Sequence, residues 1–351
     1  MAFEEVPRHH FLPDRIRPVQ ARDWVDRVRA PEEWLSLAYS DQPVVTQVDD
    51  GADDGPGVPS SSSSKPSVMA KMLMAAAVKP GDRVLEIGTG TGYNAALLAE
   101  LVGSHGSVTT VEVDEDLSRQ AQAALADAGY RVKFVVGEGA AGWPSGAPFD
   151  AVIATCAVTR VPGAWLSQTR PGGVVVTPWK PNAALPGGLL ARLEAADGQS
   201  QGRFAGGTSF MLLRSQRWNG GAAYDPAASP DVTRSLDSDP REVVLDQTCG
   251  PQLAMMVPSW RWGAAWPDGP RGDHVVWLTA LNCSAWARLY PDGRVEQGGQ
   301  RRLWDEIEAA HTFWFEHGRP PITDFGLTVT REGEHRVWLE EPGGPVWIQG
   351  T

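Results

Sequence analysis

The sequence predicts an α/β fold, a parallel sheet covered by helices, followed by a smaller α+β region. The apolar run 84–87 is typical of a buried parallel strand. A glycine-rich turn at 88–92 follows it, and apolar residues then recur at helical spacing over 95–99. A second apolar strand is expected at 108–113. The order strand, turn, helix, strand is that of a Rossmann-like unit.

The glycine-rich turn shapes the expected binding site. Glycine has no Cβ, so Gly88, Gly90 and Gly92 allow the backbone to turn sharply and a ligand to approach it closely. Glu112 stands at the tip of the second strand, where a carboxylate can accept hydrogen bonds from both hydroxyls of a ribose. Together these residues predict a site for a ribose-containing cofactor.

The residues around the turn distinguish between two cofactors. In the dinucleotide fingerprint the third glycine follows the second by three residues, whereas Gly92 follows Gly90 by two. Glu86 would repel a pyrophosphate but attract a cationic amino-acid group. The order Glu86, Gly88, Gly90, Gly92 resembles the first motif of the S-adenosylmethionine-dependent methyltransferases. The resemblance implies a class I methyltransferase sheet that binds S-adenosyl-L-methionine; the alternative is a Rossmann unit that holds NAD or no ligand.

Composition and charge restrict the partners. A length of 351 residues suggests one large domain and a second one. The net charge of −12 disfavours a nucleic-acid partner, because phosphate contacts need clustered lysine and arginine. The three cysteines and seven histidines lack metal-ligand spacing, so we expect no metal and a reducing cytoplasm. No apolar run reaches the roughly 20 residues of a membrane span, so we expect a cytoplasmic protein without a membrane partner.

The N-terminal region is predicted to form two short helices and a loop. Residues 18–29 and 31–39 each carry proline in the first turn. The acidic, glycine-rich stretch 49–57 is predicted to be a mobile surface loop. The expected buried side chains of the two helices are Trp24, Val25, Trp34 and Leu35.

Five consecutive serines occupy positions 60–64, and composition alone favours a flexible linker there. Pro66, however, fits the first turn of a helix, and Ser64 is close enough to cap that helix. Apolar residues from Val68 to Ala76 give the helix a face to bury. The serines would then lie at a helix N-terminus, where hydroxyls and free N–H groups can hold a carboxylate.

Several segments together resemble the protein-L-isoaspartate O-methyltransferase family. Residues 62–66 resemble its Thr-Ile-Ser-x-Pro motif, and 137–139 resembles its Gly-Asp-Gly motif, with Glu138 in place of the aspartate that faces the adenine. The resemblance covers roughly residues 1–215, the expected methyltransferase domain. The other matching segments are 6–9, 38–41, 147–155 and 168–178.

The family resemblance implies roles for individual residues. Ser62, Ser63 and Ser64 are the expected catalytic residues, which contact the reacting carboxylate. Ser63 replaces the family's isoleucine, which makes the pocket wall more polar, and Arg214 stands where a threonine is usual. Arg214 is a candidate substrate-binding residue because a guanidinium can pair with a carboxylate through two hydrogen bonds; a solvated arginine is the alternative. The implied cofactor-binding residues are Glu86, Gly88, Thr89, Gly90, Gly92, Glu112, Val113, Glu138, Gly139 and Thr155.

Residues 216–351 are predicted to form a C-terminal α+β domain that recognises a peptide substrate. Strands are expected near 275–278 and 286–290, a helix at 301–317 and a terminal hairpin at 325–339. Ten of the 15 tryptophans lie in this region. We expect most of them in the core and a few, with nearby arginines, on a peptide-binding surface.

The layout of this tail resembles the extended isoaspartate methyltransferase homologues of ribosomally made, modified peptide (RiPP) pathways, namely the graspetide, lanthipeptide and lasso-peptide groups. The resemblance is greatest to the graspetide-associated group. It implies methylation of an aspartate side chain on a modified, macrocyclic precursor peptide, after which the ester collapses to an aspartimide. Two alternatives remain open: an isoaspartate repair enzyme with an added domain, and a non-catalytic cofactor-binding peptide escort.

Overall fold

The described residues form three sheets with helices packed around them. The computed structural model describes residues 2–182, 187–196, 198–218, 224–266 and 273–349. None of the helices in these ranges is long and apolar enough to cross a membrane. The helices are α1 (Ala2–Glu5), α2 (Pro31–Ala38), α3 (Pro66–Ala76), α4 (Tyr93–Val102), α5 (Glu115–Asp127), α6 (Gly163–Gln168), α7 (Arg241–Leu245), α8 (Gly250–Met256) and α9 (Leu303–Glu316).

The strands fall into an N-terminal, a central and a C-terminal sheet. In chain order they are β1 (Arg15–Pro18), β2 (Val25–Asp26), β3 (Val44–Val48), β4 (Pro59–Ser63), β5 (Arg83–Ile87), β6 (Ser107–Glu112), β7 (Lys133–Val136), β8 (Phe149–Ala154), β9 (Thr169–Trp179), β10 (Gly188–Ala196), β11 (Gln199–Thr208), β12 (Val232–Ser235), β13 (Trp260–Ala265), β14 (Val275–Ala280), β15 (Trp286–Leu289), β16 (Arg294–Gly298), β17 (Phe325–Thr330), β18 (His335–Leu339) and β19 (Val346–Gln349).

The parallel half of the central sheet confirms the predicted α/β fold. Its strands follow the order β7-β6-β5-β8-β9, and each neighbouring pair is parallel. Val84, Leu85 and Ile87 of β5 are fully buried, as expected for a central strand with covered faces. The carboxyl ends of β5, β6 and β8 therefore meet at one edge of the sheet, which is where ligands bind in such folds.

The C-terminal hairpin extends this same sheet. Strands β10, β11, β17, β18 and β19 continue it in antiparallel pairing beyond β9. Leu327 and Val337 of the hairpin share a hydrophobic core with Leu85 and Ile87. The sequence predicted the hairpin correctly but placed it in a separate domain at 216–351. Its apolar inner face instead packs into the core of the central sheet.

The rest of the tail forms a module of its own. Strands β12 to β16 build a five-stranded antiparallel sheet in the order β12-β16-β15-β14-β13. Helix α9, predicted from its apolar spacing, packs on one face and buries Trp304, Ile307 and Trp314 against Val276 and Leu278. The α+β character predicted for the tail is confirmed for this module.

The prediction of a helix at 18–29 is wrong: Pro18 ends β1, Val25 and Asp26 form β2, and turns and irregular chain make up the rest. The two strands belong to a small sheet with the order β2-β1-β3-β4. Ile16 of β1 is fully buried and pairs with Val25 of β2. The helix predicted at 31–39 is confirmed as α2, and its Trp34 is buried against Ile16. Leu35, expected inside, is 47% exposed because α2 turns Leu37 inward instead.

The serine run is a strand and not a linker. Strand β4 pairs with β3, so that Val44 lies opposite Ser63 and Val45 opposite Ser62. Helix α3 begins at Pro66, as predicted. The predicted cap by Ser64 is wrong, because the N-cap residue is Lys65, without a side-chain cap. The side chain that binds the first turn of α3 is that of Asp41, whose Oδ1 accepts a hydrogen bond from the Ser67 N–H at 2.9 Å.

Candidate functional site

A cavity of about 700 Å³ lies at the carboxyl ends of the parallel strands. The turn after β5 and the end of β6 form one wall, and strand β4 forms the other. The structure thus brings the predicted cofactor turn and the predicted catalytic serines to one cavity. The predicted site residues that line it are Ser62, Ser63, Ser64, Gly88, Thr89, Gly90, Glu112, Val113, Gly139, Thr155 and Arg214.

The turn after β5 needs glycine at two positions for different reasons. Gly88 has a φ of +90°, and a Cβ there would lie 2.7 Å from the Thr155 hydroxyl oxygen. That hydroxyl donates to the Gly88 carbonyl at 2.5 Å and so ties the turn to the end of β8. Gly90 has a φ of +52°, and a Cβ there would point at the Ser61 hydroxyl, 3.7 Å away. The absence of a side chain at Gly90 keeps the space between the two walls open.

Glu112 is fixed by the backbone around it. Its Oε2 accepts a hydrogen bond from the Gly90 N–H at 2.9 Å. Its Oε1 accepts from the N–H groups of Val113 and Asp114 at 3.0 and 3.2 Å. A carboxylate offers about four acceptor positions, so Oε2 retains capacity for a hydroxyl in the cavity. Glu112 therefore fits its predicted role toward a ribose, with its orientation already set.

Glu86 lies beneath the turn and outside the cavity lining, and its role toward the cofactor stays a prediction. Its fully buried carboxylate accepts hydrogen bonds from Asn94 Nδ2 at 2.8 Å and Thr110 Oγ1 at 2.5 Å. Burial raises the pKa of Glu86 to about 7. Glu86 thus links α4 to β6 beneath the glycine turn.

Two further predicted cofactor residues lie outside the cavity lining. Gly92 faces α5, and a Cβ there would lie 3.0 Å from Leu125 Cδ1. A glycine at this position therefore allows α5 to pack closely against the turn. Glu138 is exposed, and its Oε1 accepts a hydrogen bond from the Ser215 hydroxyl at 2.9 Å. Its neighbour Gly139 does line the cavity.

The serine hydroxyls divide into two pairs. Ser61 and Ser63 are buried, and each accepts a hydrogen bond: Ser61 Oγ from Thr46 at 3.2 Å, and Ser63 Oγ from Arg8 Nε at 3.1 Å. The hydroxyls of Ser62 and Ser64 are half-buried in the cavity wall and form no hydrogen bond within the described chain. Ser62 and Ser64 are therefore available to hold a carboxylate.

Arg214 lines the cavity but is already paired. Its Nη2 lies 3.0 Å from Asp114 Oδ2, and its Nε lies 3.2 Å from Asp50 Oδ1. Arg217 also pairs with Asp50 at 2.5 Å, and its hydrogen bond holds the pKa of the Asp50 carboxyl below the usual value. These pairs tie the 49–57 loop to the cavity rim. The pairs occupy Nε and Nη2 of Arg214, whereas its Nη1 forms no hydrogen bond within the described residues and remains open to a substrate carboxylate.

Sequence reasoning missed several residues of the site. Arg8 was part of a matching N-terminal segment but received no role, although it holds the serine strand. Asp114 accepts hydrogen bonds from Gln47 and Arg214. Its position two residues after Glu112 could have indicated that it lies near the site. Cys156 lines the cavity, where burial raises the pKa of its thiol to about 12, so the thiol is neutral.

The sheet, the glycine turn and the Glu112 carboxylate define a class I S-adenosylmethionine-dependent methyltransferase. The family model described as "Protein-L-isoaspartate(D-aspartate) O-methyltransferase (PCMT)" matches residues 1–186, more than half of the chain. The chain belongs to this family.

Named relatives agree with this assignment. The chain is 42% identical over 149 residues to a protein-L-isoaspartate O-methyltransferase of Ignicoccus hospitalis, a match that covers 42% of this chain and 65% of the relative. It is 35% identical over 214 residues to the protein of that name from Methylorubrum extorquens, covering 60% and 78%. The first of these matches thus spans slightly less than two thirds of the relative.

A solved structure of a protein-L-isoaspartate O-methyltransferase has a similar fold. It superposes with a TM-score of 0.55 at 24% identity, over 97% of this chain and 94% of the other. At this identity the likeness concerns the fold alone. It nevertheless includes the tail, so a comparable C-terminal extension exists in that protein.

The chain's own residues fit the cofactor that this family uses, S-adenosyl-L-methionine. A Cβ at Gly90 would project into the space between the walls, so the turn provides room for a ligand against the backbone. Glu112 offers an oriented acceptor at the end of β6 for the ribose hydroxyls. Thr155 and Gly139 complete the lining on the side of β8.

Proposed function

We propose that this chain is a carboxyl O-methyltransferase that acts on an aspartate-derived carboxylate of a peptide. The observation that supports this most is the shared cavity, which is lined both by Glu112 with the glycine turn and by Ser62 and Ser64, whose hydroxyls form no hydrogen bond within the described residues. The wall formed by the glycine turn and Glu112 can bind a nucleoside, and the wall formed by the serines can donate hydrogen bonds to a carboxylate.

The proposed reaction needs alignment and little proton chemistry. When bound, S-adenosylmethionine supplies an electrophilic methyl group: a carboxylate oxygen forms the new O–C bond, the C–S bond breaks, and its electron pair stays on sulfur. Ser62 and Ser64 orient the carboxylate by donating to it, while Glu112 holds the ribose end. Correct positioning of two reactants contributes on the order of 7–11 kcal/mol to such a step.

The absence of a paired general base at the serines is consistent with this reaction. A carboxyl group has an ordinary pKa near ~4, so the substrate is ionised at neutral pH. Cys156 cannot act as a thiolate, because burial raises its pKa to about 12. Serine hydroxyls leave the carboxylate its negative charge, whereas a direct cation would weaken it as a nucleophile.

We propose more specifically that the substrate is an aspartate side chain in a ribosomally made, modified precursor peptide of the macrocyclic graspetide type. The backbone nitrogen of the following residue then attacks the ester carbonyl, methanol leaves, and an aspartimide remains. The support comes from the tail. Arg217 lines the cavity, and Trp218 beside it is 39% exposed. The Arg261 guanidinium stacks on Trp218 at 4.2 Å and lies 5.7 Å from Trp277.

These four residues, Arg217, Trp218, Arg261 and Trp277, form a surface that we name the rim surface. It runs from the cavity onto the five-stranded sheet of the tail. Tyr224 stacks on Trp277 with ring centroids 5.1 Å apart and continues the same face. Aromatic and arginine side chains carry much of the energy in peptide recognition. A constrained peptide also loses less entropy on binding than a linear one.

Repair of isoaspartate in damaged proteins is the second candidate. The relatives carry the name protein-L-isoaspartate O-methyltransferase, and a protein of that name has a fold that includes the tail. The tail alone therefore does not separate the two substrates. Both candidates use the same cavity and the same chemistry, so substrate preference decides between them.

The test compares three peptides with the full-length protein: a side-chain-cyclised aspartyl peptide, its linear form and a short isoaspartyl peptide. The expected result is the highest kcat/KM for the cyclised peptide, with methyl ester and then aspartimide detected by mass spectrometry. A higher kcat/KM for the isoaspartyl peptide would support repair. Binding of cofactor without transfer to any of the three would instead indicate a peptide escort.

The rim surface can be tested in the same assay. Trp218→Ala should raise KM for the cyclised peptide and leave cofactor affinity unchanged. Trp266 is a matched control, because it is 50% exposed on the same module but stacks near His274, outside the rim surface. An equal effect of Trp266→Ala would show that exposed tryptophans act only through general stability.

A further inference from the structure

Arg8 is a buried cation without a carboxylate partner. It is 2% exposed, and it forms no ion pair within the described residues. Its hydrogen bonds go to a hydroxyl and to backbone carbonyls, at 3.0 to 3.2 Å. The acceptors are Ser63 Oγ and the carbonyl oxygens of Ala38, Ser40, Gln42, Ser63 and Ser64.

The charge of Arg8 is costly where it lies. Burial lowers the pKa of Arg8 to about 10, against attraction from Tyr93 and Asp41. Asp41 itself pairs with Lys65 at 3.3 Å and accepts from the Ser67 N–H. Carbonyl groups solvate a guanidinium but do not neutralise it, so this end of the cavity keeps an excess positive charge.

The bond from Arg8 also determines what the Ser63 hydroxyl can do. A guanidinium has only donors, so Ser63 Oγ must accept in this hydrogen bond. The Ser63 proton then needs a different acceptor, and the described chain offers none. Donation from a charged group also polarises the hydroxyl and strengthens its own donation. Ser63 is 3% exposed and lines the cavity beside Ser62 and Ser64.

We propose that Arg8 is a positioning residue for the substrate carboxylate and acts through Ser63. By occupying the acceptor side of the hydroxyl, it directs the Ser63 proton to a substrate carboxylate in the cavity that Ser63 lines. The positive charge of Arg8 stabilises the substrate carboxylate at a distance, with Ser63 between them. Arg8 does not contact the carboxylate directly, so the carboxylate oxygen keeps its nucleophilicity. This inference rests on the proposed function, because it assumes a carboxylate in this cavity.

The consequence to measure is charge discrimination. The probe is the peptide that the wild type methylates, compared with its carboxamide analogue, with S-adenosylhomocysteine present and binding followed by calorimetry. A role of Arg8 in folding alone would lower both affinities together. A role toward the carboxylate changes their ratio. A wild type that methylates none of the three peptides refutes the proposed function before any variant is made.

Ser63→Ala is the decisive variant, because it removes the hydroxyl and leaves the carbonyl contacts of Arg8 in place. The affinity for the carboxylate peptide, divided by the affinity for its carboxamide analogue, is the acid-to-amide ratio. This ratio should fall about tenfold, the scale of one hydrogen bond to a charged group. Arg8→Lys should lower it similarly, since one ammonium cannot reproduce the planar fork. The double variant should fall no further than Arg8→Lys alone, because both changes act on the same hydroxyl.

Arg17 provides a matched control. It is also buried, at 6% exposure, and donates to the carbonyls of Ala21 and Gly57 in the same N-terminal sheet, but it does not touch Ser63. Arg17→Lys should keep the wild-type ratio. An unchanged ratio in Ser63→Ala overturns the proposal, as do additive losses in the double variant or an equal loss in Arg17→Lys. If Arg8→Lys fails to fold, Ser63→Ala alone decides.

Discussion

Glu86 shows how the environment of a single residue changes its role. Its sequence position predicted a contact with the cofactor. In the structure its carboxylate accepts hydrogen bonds from the side chains of Asn94 and Thr110. Burial raises its pKa from 4.5 to about 7, so the folded protein binds a proton there that the unfolded chain releases. Ionisation of Glu86 therefore lowers the free energy of unfolding as the pH rises from about 4.5 to about 7.

Glu86→Gln should remove this pH dependence. The free energy of unfolding of the variant, relative to wild type, should rise across that interval by up to about 3 kcal/mol, at about 1.4 kcal/mol per pKa unit. Urea unfolding at a series of pH values measures the difference in free energy of unfolding between the variant and the wild type. The control is Glu115→Gln, at an exposed position of α5. A difference that stays constant with pH would mean that folding does not raise the pKa of Glu86.

At the scale of elements, strand β4 joins the small N-terminal sheet to the catalytic cavity. Its pairing with β3 fixes the register, so that Ser63 lies opposite Val44 and Ser62 opposite Val45. Alternate side chains of a strand point to opposite faces, which separates the hydroxyls of Ser61 and Ser63 from that of Ser62. The neighbours of the strand therefore determine how each serine can act: Ser61 and Ser63 accept hydrogen bonds from Thr46 and Arg8, whereas Ser62 accepts none within the described residues.

Replacing both Ser62 and Ser64 with alanine should reduce kcat/KM for the peptide at least about tenfold, because two hydrogen bonds to a charged group are lost. Cofactor affinity should not change. Glu112→Ala provides the reverse contrast and should weaken binding of S-adenosylhomocysteine by roughly 1.5–3 kcal/mol. Wild-type turnover in the serine variant would leave β4 with a structural role only.

At the scale of the whole molecule, the chain returns from its tail to the central sheet. Strand β17 pairs with β11 from Gln199 opposite Thr330 to Arg203 opposite Gly326. Leu327 and Val329 are fully buried in the core that also contains Ile87. The C-terminal hairpin is therefore a part of the methyltransferase sheet, and it protects an edge that would otherwise be open.

Leu327→Ala should lower the free energy of unfolding by about 2–5 kcal/mol, as expected for a leucine truncated in a core. Hydrogen exchange should show that β9, β10 and β17 lose protection together. Val346→Ala in β19, where the side chain is 43% exposed, should change stability by no more than about 0.5 kcal/mol. Loss of protection in β17 alone would show that the hairpin opens as an independent unit.

The local patterns of the sequence were sufficient for the parallel half of the sheet. An apolar strand, a glycine turn and an amphipathic helix are each encoded by neighbouring residues, and Glu112 follows from its place at the end of β6. The same holds for α3 and α9, whose apolar spacing predicted the faces that they bury. Family resemblance to these segments also located the serines.

The sequence by itself therefore determined the class of fold, the cofactor turn and the segment that holds the serines, because these depend on local spacing. Only the tertiary structure decided the rest. Strands β1 and β2 took the place of the helix predicted at 18–29, and Val25 of β2 packs against the cluster that contains Ile16 and Trp34. Asn94 and Thr110 donate hydrogen bonds to the Glu86 carboxylate beneath the glycine turn, and the C-terminal hairpin joined the central sheet. Each outcome depends on contacts between residues far apart in the chain, whose burial outweighs local preference.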